Sequence, residues 1–374
     1  MKYYIISGEP SGDLHGSNLM RGLQAEDSEA QFRFWGGDKM AEVGGAENLA
    51  KHYRETSFFG IAQVMRNLKT IVGQIDECKR DIEAYNPDVV ILIDYPSFNM
   101  RIAKWAKKHN IKVYYYIAPK VWAWKEWRVK SIRKYVDRLY TIFPFETEYF
   151  RSKGIEPVFC GNPLCDAIAQ YKAQMPSREE FLRTEGLDER PIVALLAGSR
   201  RSEIKDNLND MIAISKNFPE YQFVVAAVPW IEKEMYDKVL ANTGVKFVCN
   251  KTYDTLFYAE AAIVTSGTAT LETALIGTPE IVVYHIPKLY EWLRPLVLKI
   301  PYISLVNINL NRECVREIVV SKVDIKAVSE ELRAIMEGGS KRMKMLSEFA
   351  ELQEMMGGEG SSHRVAIDIV KSLK

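Results

Sequence analysis

The stretch Val89-Val90-Ile91-Leu92-Ile93-Asp94-Tyr95-Pro96 decides the fold. A strand with one wet face alternates apolar and polar residues, whereas this run is apolar throughout and stops at a carboxylate and a proline. Such a run is a strand buried on both faces, as in a parallel sheet covered by helices. The pattern recurs at Tyr3 to Ser7 and Val113 to Ile117, and again at Ile192 to Leu196, Phe223 to Ala227, Ala262 to Thr265 and Ile281 to Tyr284. Helical periodicity fills the intervals. The spacing predicts an α/β chain in which a doubly wound, Rossmann-like parallel sheet occurs twice.

The two series are separated by a stretch holding Asn162-Pro163, Met175-Pro176 and Arg190-Pro191, with an amphipathic helix expected within it. Proline punctuation of this kind marks a hand-over between domains. The expected division is a first domain over 1–165, a linker over 166–190 and a second domain over 191–340, with helices in 341–374 packing back on the first domain or onto another subunit. In open parallel sheets ligands bind beyond the carboxyl ends of the strands, so a cleft between two such domains is the expected site.

Composition narrows the function classes. The chain has 374 residues, 47% hydrophobic and 26% charged, which suits a globular protein of two domains. A formal net charge of +1 gives no global attraction to nucleic acid. Locally, Arg101 to Arg138 holds twelve Lys or Arg against two acids, Glu126 and Asp137, interleaved with Trp105, Trp122, Trp124 and Trp127. That patch fits a solvated basic face, an anionic membrane surface or nucleic acid. Five scattered cysteines without C-x-x-C suit a reducing compartment, and scattered histidines argue against zinc. The opening MKYYIISGEPSGD is too short an apolar run for a signal peptide, and no stretch reaches about 18 apolar residues, so neither export nor a membrane span is expected.

The candidate chemistry lies where these strands end. Gly8-Glu9-Pro10-Ser11-Gly12-Asp13 follows the first strand and opens a helix, a place where backbone N–H groups can meet an anion or a hydroxyl. A tight turn capped by Ser11 or Asp13 is the competing account. The loop lacks both G-x-G-x-x-G and G-x-x-x-x-G-K, which disfavours nicotinamide cofactors and ATP. Asp94, at the end of its strand and followed by Ser97 and Asn99, is a carboxylate whose burial can tune it for proton abstraction; a capping aspartate before proline is equally consistent with its position.

In the second half, Gly198-Ser199-Arg200-Arg201-Ser202-Glu203 puts small residues and guanidinium groups at a strand-to-helix junction, as a diphosphate requires, although a surface arginine beside a capped helix reads the same. Ser266-Gly267-Thr268-Ala269-Thr270-Leu271-Glu272 offers hydroxyls and bare amides at a helix start, and Glu272 about one turn on can accept both hydroxyls of a ribose. The helix dipole alone also explains a glutamate there. No D-x-D is present to hold a divalent metal on a nucleotide-sugar, so Arg200, amides and helix dipoles are left to meet the leaving charge, with no metal and no cofactor expected.

Two segments look lipid-facing. Ile61, Val64, Met65, Leu68, Ile71, Val72 and Ile75 share a helical face with Arg66 and Lys69 near it, and Tyr290 to Ile300 forms an apolar cluster carrying Arg294 and Lys299. Such helices are more often core. With the basic aromatic patch they nonetheless suggest peripheral membrane contact.

Taken together, GEPSGD (8 to 13), IDYPSFN (93 to 99), APKVWAWKEWRV (118 to 129), GSRRSE (198 to 203), SGTATLE (266 to 272) and YISLVNINLNR (302 to 312) closely resemble the bacterial lipid-A-disaccharide synthase family. The motifs fall in order across nearly the whole chain. The resemblance implies a GT-B fold, with the acceptor on the N-terminal domain and UDP-sugar on the C-terminal one. It implies the joining of UDP-2,3-diacylglucosamine to 2,3-diacylglucosamine 1-phosphate by a β-1,6 bond, in the cytoplasm at the inner face of the inner membrane. The residues it singles out are Asp94 and Arg200 as essential, with Glu272 and Asn307 near the nucleotide. Gly198, Ser199, Ser266, Gly267 and Thr268 complete the expected diphosphate site, and Glu9, Ser11, Gly12, Asp13 and Asn99 the acceptor-side loops.

Two positions depart from the family pattern: Ser97 stands where many relatives have a second acid, and Ala197 where a proline is common. The nearest rival is another GT-B UDP-N-acetylglucosamine transferase, or an epimerase, acting on an unacylated sugar. A nucleic-acid-binding protein is the rival from another class, but it leaves Asp94 and SGTATLE without a role. No nucleic-acid partner is expected, and an oligomer is compatible with the sequence.

Overall fold

The computed structural model describes residues 1–56, 68–122, 126–286 and 301–374. Ile61, Val64, Met65, Arg66, Trp124 and the whole Tyr290 to Ile300 cluster lie outside those residues. The chain divides into two compact units, one made of 1–167 with 355–374 and the other of 168–354. Both are Rossmann-like, with a parallel sheet between helices, which gives the chain the GT-B class of fold.

The first unit holds seven strands: β1 (Lys2–Ser7), β2 (Gln31–Gly36), β3 (Leu49–His52), β4 (Val89–Ile93), β5 (Lys112–Tyr116), β6 (Arg138–Thr141) and β7 (Val158–Phe159), in the order β3-β2-β1-β4-β5-β6-β7. Each recorded pairing is parallel, with Ser7 opposite Ile93 and Ile93 opposite Tyr116. The chain leaves β1 for β2 on one side and returns as β4 on the other, so the strand order reverses between β1 and β4 and a crevice opens there.

Continuous apolarity in these strands supplies both faces. Tyr4, Ile6, Val90, Leu92, Val113 and Tyr115 enter one buried cluster, and their neighbours Tyr3, Ile5, Val89, Ile91, Ile93, Tyr114 and Tyr116 enter the other. The second cluster is closed by Leu19, Met20 and Leu23 of helix Pro10–Glu26 and by Val365, Ala366, Ile369 and Val370 of helix Ser361–Leu373. Each fully buried Val or Ile contributes about 1.5–3 kcal/mol, enough to hold the last helix on a unit it rejoins from the far end of the chain. Gly22 allows the two helices to meet, since a Cβ there would lie 2.9 Å from that of Ala366. Asp166 accepts from the amides of Gly360, Ser361 and Ser362 at 2.6–3.2 Å, a carboxylate on the positive end of the helix dipole. Arg138 and Tyr140 both bond Asp368 on the same helix.

The second unit has six strands: β8 (Ile192–Leu196), β9 (Gln222–Ala227), β10 (Lys246–Cys249), β11 (Ala259–Thr265), β12 (Glu280–His285) and β13 (Arg316–Val320), in the order β10-β9-β8-β11-β12-β13. The reversal here falls between β8 and β11, whose recorded register pairs Leu196 with Val264. Helix Arg342–Met355 belongs with this unit, tied through Arg312 to Glu348 and Glu351 and through Arg342 to Glu260. No helix among the described residues is long and apolar enough to cross a membrane.

Candidate active site

Each unit presents its candidate residues at the carboxyl ends of the two strands flanking its reversal. In the first unit these ends carry Glu9, two residues past β1, and Asp94, one past β4. The backbone turns sharply at the latter, with φ of 44° at Asp94 and 45° at Tyr95. Left-handed geometry at a residue with a Cβ costs about 1–3 kcal/mol, so consecutive instances persist only where the surroundings enforce them.

Those surroundings are specific. The Asp94 amide donates to the Tyr116 carbonyl at 3.2 Å, and the Asp94 carbonyl accepts from the Tyr115 hydroxyl at 2.5 Å and from Asn99 Nδ2 at 2.7 Å. Asn99 reaches the Ile93 carbonyl as well, at 3.2 Å. The Tyr95 ring stacks on Phe98 with centroids 5.3 Å apart and lies against Gly8, where a Cβ would meet ring carbons at 2.5 Å. Gly8 is therefore a glycine because an aromatic ring occupies the place of its side chain.

Burial pushes the proton affinity of the Asp94 carboxyl upward, with Lys120 and the Tyr95 amide opposing it. Glu9 is raised too, first by burial and then by the charge of Asp94, again against Lys120. The two carboxyls and one ammonium form an electrostatic group at the reversal. At Ser97, Arg128 Nη2 approaches the hydroxyl at 3.4 Å.

Asp13 and Asn99 do internal work. Asp13 is buried, and its carboxylate accepts from the amides of Gly37, Lys39 and Met40 at 2.8–3.1 Å, fixing the turn after β2. Asn99 is buried beneath Asp94 and holds the loop by its two carbonyl contacts. Gly12 lets its helix start against Ser7, since a Cβ would come within 2.4 Å of Oγ, while Ser11 is exposed at the helix start.

In the second unit, the loops after β8 and β11 line one cavity of about 470 Å³ with Gly198, Ser199, Arg200, Ser266, Gly267, Thr268 and Glu272. Gly198 adopts φ of 112°, and a Cβ would meet Glu203 at 2.6 Å. The loop is already braced by an acid: Glu203 Oε2 accepts from the amides of Ser199 at 3.0 Å and Arg200 at 3.3 Å, while Oε1 pairs with the Arg200 guanidinium at 2.8 Å. Those amides are thus engaged inside the loop, and Arg200 projects an exposed guanidinium from it. Trp230, also exposed, donates from its indole to the Ser199 carbonyl at 3.0 Å.

Across the cavity, Gly267 and Thr268 are exposed at the start of helix Thr268–Ile276, whose first N–H groups have no partner within the helix. Ser266 donates its hydroxyl to the Ile303 carbonyl at 3.1 Å. Asn307 stands behind this contact. Its side chain donates to the Val315 carbonyl and Glu317 and accepts from the amides of Cys314 and Val315, all at 2.8–3.0 Å, while Glu317 holds the amides of Ile303 and Ser304. Asn307 is fully buried in this lattice and braces the Ser266 loop from the rear. Glu272 is one turn inside the helix, with Tyr253 donating to its Oε1 at 2.8 Å.

Tyr253, Trp230, Tyr115 and the electrostatic role of Lys120 carried no sequence signal. A tyrosine in a short helix reads as core, and a tryptophan after a strand reads as a turn residue. The basic aromatic patch resolves into separate parts: Arg138 and Lys107 pair with Asp368 and Asp137, Trp122 donates to buried Glu146, and Trp105 packs on His109. Trp127, beneath the guanidinium of Arg128, is 66% exposed.

Comparison with known proteins bears on the family and the fold. A family model described as lipid-A-disaccharide synthetase matches residues 3–368. The lipid-A-disaccharide synthase of Syntrophus aciditrophicus is 33% identical over 378 residues, covering 99% of this chain and 97% of that protein. That of Myxococcus xanthus is 32% identical over 376 residues, with 99% and 97% covered. Among solved structures, UDP-GlcNAc 2-epimerase from Neisseria meningitidis, bound to UDP-GlcNAc, superposes with a TM-score of 0.68 at 12% identity over the full length of both chains. The glycotransferase of kitacinnamycin does so at 0.62 and 12% identity, with 100% and 98% covered. At that identity the structural likeness speaks for the fold.

Proposed function

The chain belongs to the lipid-A-disaccharide synthetase family, a glycosyltransferase family that forms the lipid A disaccharide, and from that premise we propose the substrates and the chemistry. The donor is UDP-2,3-diacylglucosamine and the acceptor is 2,3-diacylglucosamine 1-phosphate; the products are the β-1,6 disaccharide 1-phosphate and UDP. The reaction is a single displacement with inversion. Asp94 accepts the proton of the acceptor's 6-hydroxyl, the oxygen bonds to the anomeric carbon, and the anomeric carbon–oxygen bond breaks with its electron pair leaving on the diphosphate.

This reading rests on what each unit offers by itself at a strand end: in the first, a proton-affine carboxyl at Asp94 on a restrained turn, and in the second, a cavity with Arg200, a helix start and Glu272. A sugar hydroxyl is weakly acidic, so a base with raised proton affinity takes its proton as the new bond forms. Arg200 and the amides at Gly267 and Thr268 meet the charge developing on the diphosphate, in keeping with anion binding at helix starts. Glu272 accepts the ribose hydroxyls. Asp13, Asn99, Asn307 and Glu203 hold the loops rather than touch substrate.

The acylated substrates place the work at a membrane surface. The exposed Trp127–Arg128 pair suits the headgroup level of an anionic bilayer, so the protein acts as a peripheral enzyme on the cytoplasmic face of the inner membrane. The test is turnover with both substrates, read by thin-layer chromatography and by the anomeric coupling of the product. A β-linked disaccharide and UDP are expected; equal efficiency with a deacylated donor would overturn the acylated assignment.

A further inference from the structure

In the second unit, Tyr253 stands on helix Thr252–Phe257, just past the end of β10, and lines the same cavity as Glu272. Its hydroxyl donates to Glu272 Oε1 at 2.8 Å. Its ring is fixed from behind by the Tyr171 ring, edge-on with centroids 5.2 Å apart. The residue after Tyr253, Asp254, is buried and pairs with Lys251 at 3.4 Å. Arg200 and Glu203, which also line the cavity, pair with each other. Tyr253 is thus a rigid donor aimed at one oxygen of one carboxylate.

We propose that Tyr253 is a positioning residue for nucleotide recognition, holding the Glu272 carboxylate in the plane that accepts a ribose diol and so making the site select ribo- over deoxyribonucleotides. This rests on the reading of Glu272 as the ribose acceptor. An ionised carboxylate has about four lone-pair directions, so one bond from Tyr253 leaves capacity for two hydroxyls while removing the freedom of the group to rotate. A protonated glutamic acid would spend an oxygen as a donor and lose the match to a diol. Burial drives Glu272 toward that protonated form, and the Tyr253 bond drives it back.

The test is calorimetric binding of UDP and of 2′-deoxy-UDP to the full-length wild type, Tyr253→Phe and Glu272→Gln. Phenylalanine keeps the ring against Tyr171 and removes only the donor, so unchanged thermal unfolding serves as the folding control. The wild type is expected to prefer UDP by about tenfold or more, the size of a hydrogen bond to a charged group. In Tyr253→Phe that preference should shrink by about threefold or more, through weaker UDP binding with 2′-deoxy-UDP unaffected. A Tyr253→Phe protein that keeps the full preference while Glu272→Gln loses it overturns the role of Tyr253 alone; equal weakening of both nucleotides overturns it too, as general loosening. A preference that survives Glu272→Gln removes the ribose assignment itself, and the inference with it.

Discussion

The loop after β4 and the loop after β8 each flank the point where the strand order of their own sheet reverses, yet they are built in opposite ways. At Asp94 the left-handed backbone is imposed on residues with side chains, and Tyr115, Asn99 and Tyr116 restrain it with three hydrogen bonds. At Gly198 the positive φ is carried by a glycine, and the brace comes from within the loop, through Glu203. The first arrangement fixes the Asp94 backbone from three neighbours, which suits the base proposed there. The second leaves a guanidinium exposed and the helix start across the cavity open, which suits the diphosphate site proposed there.

The largest effect that tests this contrast is at Asp94. Asp94→Asn keeps the shape and removes the base, so turnover should fall by about 10² to 10⁴ while UDP affinity stays within error. Activity within about tenfold of wild type would assign the base elsewhere. The pH dependence sharpens the point. Because burial raises the Asp94 proton affinity and only the ionised form can act, kcat/KM should decline on acidification at a pH above the usual aspartate range, with Lys120 and the Tyr95 amide pulling the limb lower. An acid limb at the ordinary aspartate value would contradict that environment.

Arg200→Ala comes next. Its guanidinium is exposed and paired with Glu203, so removing it should leave the fold intact while kcat/KM falls by about 10- to 100-fold, the loss expected for charge-assisted bonds to a diphosphate. The same steady-state assay checks it. Unaltered kinetics would confine Arg200 to bracing its own loop.

Legibility in the sequence tracked burial. The central strands β1, β4, β5, β8, β9, β11 and β12 show themselves as continuous apolar runs because both of their faces are covered. The outer strands do not: β2 interposes Arg33, β6 begins at Arg138, β7 is two residues long and β13 begins at Arg316. Strand ends were equally readable, since a carboxylate or a glycine after an apolar run has few explanations. What each polar side chain does there was not. Asp13, Asn99 and Asn307 carry the same residue types as ligand-binding groups, and only tertiary structure reveals that backbone amides and carbonyls already occupy them. Tyr253 was silent for the converse reason, being a core-like residue made functional by where its hydroxyl points.

The smallest effect belongs to Tyr115. Tyr115→Phe deletes one restraint on the Asp94 carbonyl without changing any charge or ring, and Asn99 keeps its own bond to the same oxygen. A buried hydrogen bond of this kind contributes about 0.5–1.5 kcal/mol, so stability in a denaturant titration should drop by that amount. The strained turn then has one tie fewer against its relaxation, and kcat should fall several-fold with KM for the donor unmoved, because the nucleotide site proposed above lies in the other unit. A stability loss with unchanged kcat would mean that Asn99 and the Tyr95–Phe98 stack suffice to aim the carboxylate, and that the strain at Asp94 is held by packing rather than by the hydroxyl beneath it.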